Sequence, residues 1–286
     1  MATLSDAQVR QSLALTSAFK TQQNAEAAKI AALVALYYRT RVNAEDPETI
    51  KSWLDLVIPR LISASDRGAR SAQTYFSALR KVEVPKAASL EIAPALGMID
   101  EGVRKSLETV GPFAYMNKAA EIKRLDISDP QKQAMLARAN RAAEVKLAGA
   151  AIRHAQAGGR QTIHEAAARD DVALGYVRVT RAKPCFFCAM LASRGLRYRA
   201  FSEGSFDLSD ARFSGDGDAK VHDNCGCSLK PVYAENDALV ERTDVFADMW
   251  SRWGAGGGSD AALRFRRGYD HWLETGEFLD YDDVAA

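Results

Sequence analysis

All four cysteines of this 286-residue chain lie between Cys185 and Cys227, on two short turns. The first turn reads Cys185-x-x-Cys188, and after 33 intervening residues the second reads His222-x-x-Cys225-x-Cys227. Two side chains three apart on a tight turn face one point. A pair of such turns, joined by a loop free to fold back, is how a short chain assembles a tetrahedral metal site. Thiolate and imidazole suit zinc, at about 2.3 and 2.1 Å, and disfavour magnesium and calcium. The candidate ligands are Cys185, Cys188, His222, Cys225 and Cys227, five groups for four places, with Cys225 and Cys227 both candidates and one of them spare. Three or four sulfurs leave no open position for water, so the expected zinc is structural and not catalytic. The competing reading is four ordinary buried cysteines. Against it, one of only four histidines shares the same two turns.

A metal reading needs reduced thiols. The longest apolar stretches, such as Ile30–Tyr38, fall far short of the roughly 20 residues that cross a bilayer, and the opening Met-Ala-Thr-Leu-Ser-Asp has no basic or apolar leader pattern. The expectation is a protein made in the cytoplasm, with no membrane partner. With 38 basic and 37 acidic side chains the chain is not a strongly basic nucleic-acid clamp. The charge is split, however: residues 1–160 carry about seven net positive charges and the remainder about six net negative ones. An apolar content of 47% and 26% charged residues exclude a disordered or collagen-like chain.

Residues 1–160 read as a helical bundle or arm. Ser5 with Gln8 forms a capping box, followed by helical apolar spacing to about Arg41. Asp46-Pro47 starts a second helix reaching about Lys81, with a kink expected near Pro59. A third helix is expected over about Leu90–Leu107, breaking at Gly111-Pro112, and a fourth from Asp129-Pro130 to Gly158-Gly159, which stop it. Residues 161–235 change texture. A short helix at Ile163–Arg169 precedes strands at Val172–Thr180, Leu196–Phe201 and Ser228–Tyr233, with the cysteine turns and a Gly/Ser/Asp-rich loop, Glu203–Lys220, between them. Residues 236–286 read as two helices, Asp237–Trp253 and Asp260–Leu273, joined by a Gly-rich hinge and ending in an acidic tail. The fold class is mainly α, with a small α+β zinc-stapled module.

Other chemistries fail at identifiable residues. Pro184-Cys185-x-x-Cys188 is half of a zinc nucleoside-deaminase signature, but the acid of His164-Glu165 stands one residue too early for the His-x-Glu that shuttles protons. A redox Cys-x-x-Cys needs a thioredoxin-like setting that the helical prelude does not supply. No Gly-x-Ser-x-Gly elbow, phosphate-binding loop or dinucleotide fingerprint is present. His154 and His164, in Ala-rich helical surroundings, read as surface or cap residues, and His271 beside Trp272 as packing. No catalytic residue is nominated.

The stretch Val179-Thr-Arg-Ala-Lys-Pro-Cys-Phe-Phe-Cys-Ala-Met-Leu-Ala-Ser-Arg-Gly195, followed by His222-Asp-Asn-Cys-Gly-Cys-Ser-Leu-Lys-Pro-Val-Tyr233, resembles the phage Mu F-like (MuF) minor head protein family. The likeness is closest to the branch found in phages of actinobacteria and covers about residues 170–235. It implies a virion-morphogenesis protein at the portal or capsid interior that aids head assembly and genome packaging or ejection. The implied partners are the portal protein, the major capsid or scaffold protein and packaged DNA. Some relatives of this branch are labelled capsid maturation proteases, so proteolysis of capsid or scaffold proteins is the alternative activity. Only about 50 residues follow Tyr233, too few for an added protease domain, and the reading taken forward is non-enzymatic.

Overall fold

The computed structural model describes residues 3–195, 197–198, 223–254 and 260–285. Its framework is a pair of long helices, α1 (Asp6–Arg41) and α2 (Pro47–Glu83). The Ser5–Gln8 capping box starts α1 and Asp46, accepting from the Glu48 N–H, caps α2. At 1.5 Å per residue each helix is about 54 Å long. The short turn between them sets them antiparallel: Tyr38 near the end of α1 meets Trp53 near the start of α2, and Phe19 stacks on Tyr75 at the other end. Helix α2 runs through Pro59 without interruption. That proline faces solvent, and the next residue, Arg60, turns its guanidinium back to donate to the Leu56 carbonyl.

The next segment departs from the sequence expectation. Only α3 (Asp100–Glu108) is helical, and 90–99 is irregular. Pro94 disfavours helix in the residue before it, and Gly97 sits at φ +81°. The chain's polar groups there go to side chains instead: Gln73 donates to Ile92 O, Thr162 accepts from Ala95 N–H and Asp66 from Gly97 N–H. Gly111-Pro112 does not break the helix either. It forms a π-turn, Thr109–Phe113, leading straight into α4 (Ala114–Lys123). A Cβ at Gly111 would stand 2.7 Å from Leu147, so glycine permits the close approach of this turn to α5.

Helix α5 (Asp129–Ala155) starts one residue earlier than its Asp-Pro signal suggests, with Ser128 as N-cap and Gln131 completing the box. Gly158-Gly159 does not stop it. The break falls at Gln156, and both glycines lie inside α6 (Ala157–Arg169). A Cβ on Gly158 would lie 2.5 Å from Ser65 O, and one on Gly159 would lie 3.2 Å from Gly68 O. The pair is a notch that lets α6 lie directly against α2. A first core joins α1, α2, α3 and α5 around Val34, Trp53, Leu61, Leu107 and Leu147.

Helix α6 also carries the sheet. Strands β1 (Gly175–Val179), β2 (Arg197–Tyr198) and β3 (Ser228–Val232) are antiparallel in the order β2-β1-β3, with Val179 opposite Ser228 and Gly175 opposite Val232. Every residue of β1 and β3 is buried. Tyr176 and Leu229 join Phe19, Phe76, Leu79 and Ile163 in a second core, so the sheet rests on the helical framework. Residue 160 falls inside α6, whose flanks serve both.

After β1 comes α7 (Phe186–Ala192), closed by Gly195 at φ +64°. Helices α8 (Ala238–Trp253) and α9 (Ala261–Thr275) bury Phe246, Trp253, Phe265 and Tyr269 against Phe187 and Leu191 of α7. The acidic end is not a free tail: α10 (Tyr281–Ala285) buries Val284 in this third core, and Arg267 donates to the Val284 carbonyl. The expected loop Glu203–Lys220 and most of the strand expected at Leu196–Phe201 lie outside the described residues, as does most of the Gly-rich hinge. The molecule is mainly helical with one small sheet, as the sequence predicts.

Candidate metal centre

Beta pairing brings the two cysteine turns together. Arg178 is paired with Leu229 and Val179 with Ser228, which puts the exit of β1, toward Cys185, beside the entry to β3, directly after Cys227. Cys185 is the N-cap of α7, and its sulfur accepts from the Cys188 N–H at 3.5 Å, so Cys188 sits in the first turn of that helix facing back toward the second turn.

The second turn is shaped from below by α5 and α6. Asn224 takes the left-handed conformation, φ 65°, and its N–H bonds Gly149 O at 3.1 Å. A Cβ on Gly149 would lie 2.6 Å from the Asn224 amide, so this glycine of α5 admits the turn. Asp223 is bound by Arg153 at 2.8 Å. The Arg160 guanidinium reaches both Cys227 O, at 3.1 Å, and Cys225 O, at 3.2 Å, and is itself held by Gln156 at 2.6 Å. One planar cation thus fixes the carbonyls on either side of Gly226.

The result is three buried sulfurs, Cys188, Cys225 and Cys227, all within 4.8 Å of one another. Cys188 and Cys225 are 3.6 Å apart, close to the edge of about 3.8 Å that a tetrahedron with 2.3 Å metal–sulfur bonds requires. Cys225 and Cys227 are 2.7 Å apart, well beyond a disulfide bond of about 2.05 Å. The Arg178 guanidinium lies 2.9 Å from the Cys227 sulfur. Hydrogen bonds from the Cys188 and Cys225 thiols, with Arg178 and Arg160 nearby, hold the Cys227 thiol well below its usual range against the opposing effect of burial. Cys188 is pushed up, first by its hydrogen bond with Cys185. Of the three sulfurs, Cys227 is thus the one whose surroundings favour the thiolate. The donor set is soft, dry and preformed, and three such cysteines are suited to holding a metal ion.

Of the five sequence candidates, the structure brings Cys188, Cys225 and Cys227 together. Both members of Cys225-x-Cys227 enter the cluster. Cys185 touches Cys188 but is exposed and outside the three-sulfur group. His222 lies outside the described residues. Sequence reasoning missed Arg160 and Arg178. The signal for Arg178 was an arginine in the middle of a short strand of otherwise apolar or small residues, where a buried cation needs an anionic partner.

His154 corrects another expectation. It is buried, not a surface or cap residue: its Nε2 has no hydrogen-bond partner among the described residues, and burial, helped by Arg153 and Arg160, pushes its pKa down to about 3. It lines, with His164, Met98 and Ile99, a cleft of about 850 Å³ between the irregular 94–99 segment and α6.

No helix among the described residues is long and apolar enough to cross a membrane. No curated protein and no solved structure matches the chain. One family model, described as VG15 protein, matches residues 9–252, a span that takes in the helical framework, the sheet and both cysteine turns. The chain belongs to the VG15 protein family, a family of phage and viral gene products.

Proposed function

We propose that this VG15 protein is a MuF-like minor head protein, which works in phage head assembly at the portal or capsid interior and whose cysteine module is stapled by one structural zinc. The observation that carries the reading is the buried sulfur cluster inside a phage-family chain. It gathers Cys188 of the Cys-x-x-Cys and both members of the Cys-x-Cys of the resemblance in one place. Three buried sulfurs within 4.8 Å of one another, with Cys188 and Cys225 near the spacing of a tetrahedral edge, favour a closed ion over one with an open water position, and hence a structural over a hydrolytic role. Cys185, beside Cys188, and His222 are the proposed sources of the fourth ligand.

The partner reading follows from shape. The α1–α2 hairpin presents two helices of about 54 Å, an extended surface for subunit contact, and the sheet module is pinned to its side by the core around Phe76 and Leu229. The proposed partners are the portal protein and the major capsid or scaffold protein, with packaged DNA as a further contact. The site of action is the virion, reached from the host cytoplasm during assembly.

Co-expression with the portal protein of the same phage tests this. A tagged portal is expected to retain the chain through a high-salt wash and to carry it into procapsids. Clean separation from both portal and procapsids would overturn the assembly role. Cleavage of the major capsid protein on co-expression would favour the proteolytic alternative.

A further inference from the structure

Away from the cysteines, the most unusual cluster is a buried amine between two buried carboxyls. Lys230 of β3 is fully buried, and its Nζ lies 2.6 Å from Glu83 Oε1 at the end of α2. It also bonds Asp237 Oδ2, at the start of α8. The three side chains are 0%, 0% and 3% exposed. A surface salt bridge is weak but harmless. This trio is different, because two carboxylates facing one ammonium in a dry interior leave a net negative charge that only protonation removes. Glu83 is the group suited to carry that proton. Its Oε1 already accepts from Ser12 and Lys230, while its buried Oε2 has no hydrogen-bond partner among the described residues. Burial, against the pull of Lys230, pushes its pKa up.

We propose that Lys230 and Asp237 are joined by an intramolecular isopeptide bond, formed spontaneously in the folded protein with Glu83 as the proton carrier. Proton transfer from the ammonium to Asp237 gives a neutral amine and a carboxylic acid, the pair of species from which an amide forms. The Nζ lone pair attacks Asp237 Cγ, and the C=O electron pair moves onto Oδ1. The Leu239 N–H, which donates to Oδ1 at 2.9 Å, faces the charge that develops there. Glu83 accepts the excess proton from nitrogen through Oε1 and delivers its own to the Oδ2 hydroxyl, which leaves as water as the carbonyl re-forms. Amine plus acid gives amide plus water, Glu83 is regenerated, and no other reactant is required. The positions are those of a nucleophile held at its target by the fold itself. The product ties β3 to the first turn of α8, across the junction where the sheet meets the C-terminal helices.

The test is the intact mass of the purified full-length chain after incubation at neutral pH. The expected mass is about 18 Da, one water, below that of the sequence. After trypsin the loss should reside in the peptide 221–242, with no backbone fragments released between Lys230 and Asp237. Glu83→Gln should restore the full mass, and Asp237→Asn should shift the loss to about 17 Da, because ammonia leaves in place of water. Wild-type protein that stays at full mass overturns the proposal without any variant being needed. So does a loss that persists in Lys230→Arg, which would mark dehydration of an aspartate alone, and so does a link that maps to Glu83.

Discussion

The guanidinium of Arg178 lies 2.9 Å from the sulfur of Cys227, both buried between the sheet and the helices that cover it. An arginine cannot give up its charge, so its position requires an anion, and the cysteine cluster supplies it. The pair couples the sheet to the metal centre: β1 provides the cation and the turn before β3 provides the thiolate. Removing the cation should leave the thiolate without its N–H donor. For Arg178→Met we expect zinc affinity to fall about 10- to 100-fold, as is usual when a ligand's outer hydrogen bond is lost. Competition with a chromogenic chelator measures this, and an unchanged zinc affinity would show that the arginine serves packing alone.

The zinc reading makes its own demand. Elemental analysis after dialysis without chelator should give about one zinc per chain, and Cys188→Ser or Cys225→Ser should lose it. Because the ion and the fold are linked, both variants should also melt at lower temperature, and wild-type protein should fall to the same level in excess chelator. A metal-free wild type with four titratable thiols would leave the cluster as buried cysteines.

The cluster was largely legible because its determinants are local. Cys-x-x-Cys and Cys-x-Cys are spacings within single turns, and the strands beside them carry their own apolar signature. The same holds for the caps at Ser5 and Asp46, where one side chain and the N–H two or three residues on decide the start of a helix. What the sequence concealed is tertiary. Gly158-Gly159 has the local look of a helix stop, yet it sits within α6 because α2 comes too close for a side chain there. Lys230 reads as an ordinary polar residue of a strand edge. Its burial depends on Glu83, 147 positions earlier in the chain, and no local pattern announces that meeting. Likewise 90–99 has helical apolar spacing, but its backbone bonds go to Gln73, Thr162 and Asp66 from other helices.

The glycine notch predicts opposite effects for two similar substitutions. Gly158→Ala places a methyl group 2.5 Å from the Ser65 carbonyl, a backbone atom that cannot swing away. We expect a loss of about 1–3 kcal/mol, the usual cost of overpacking. Gly102→Ala, in α3, meets nothing within 4 Å and should gain about 0.5–1 kcal/mol from helix propensity. Urea unfolding of both variants decides the matter, and equal effects would mean that α6 can shift away from α2.

His154 makes stability depend on pH in a defined window. In the folded chain its pKa is pushed down to about 3, against 6.5 for a free imidazole. Between those values the unfolded chain binds a proton that the folded chain refuses, so unfolding takes up protons and stability falls as pH drops below 6.5. Above that range the histidine is neutral in both states and contributes no slope. From pH 7 to pH 5.5 the expected loss from this group is about 1 kcal/mol, in a range where most carboxylates are still charged. His154→Leu removes the titrating group and should flatten that part of the profile. Urea unfolding of wild type and variant at the two pH values measures the difference directly. Parallel losses in both proteins would mean that the imidazole is charged in the folded state, with its Nε2 paired after all.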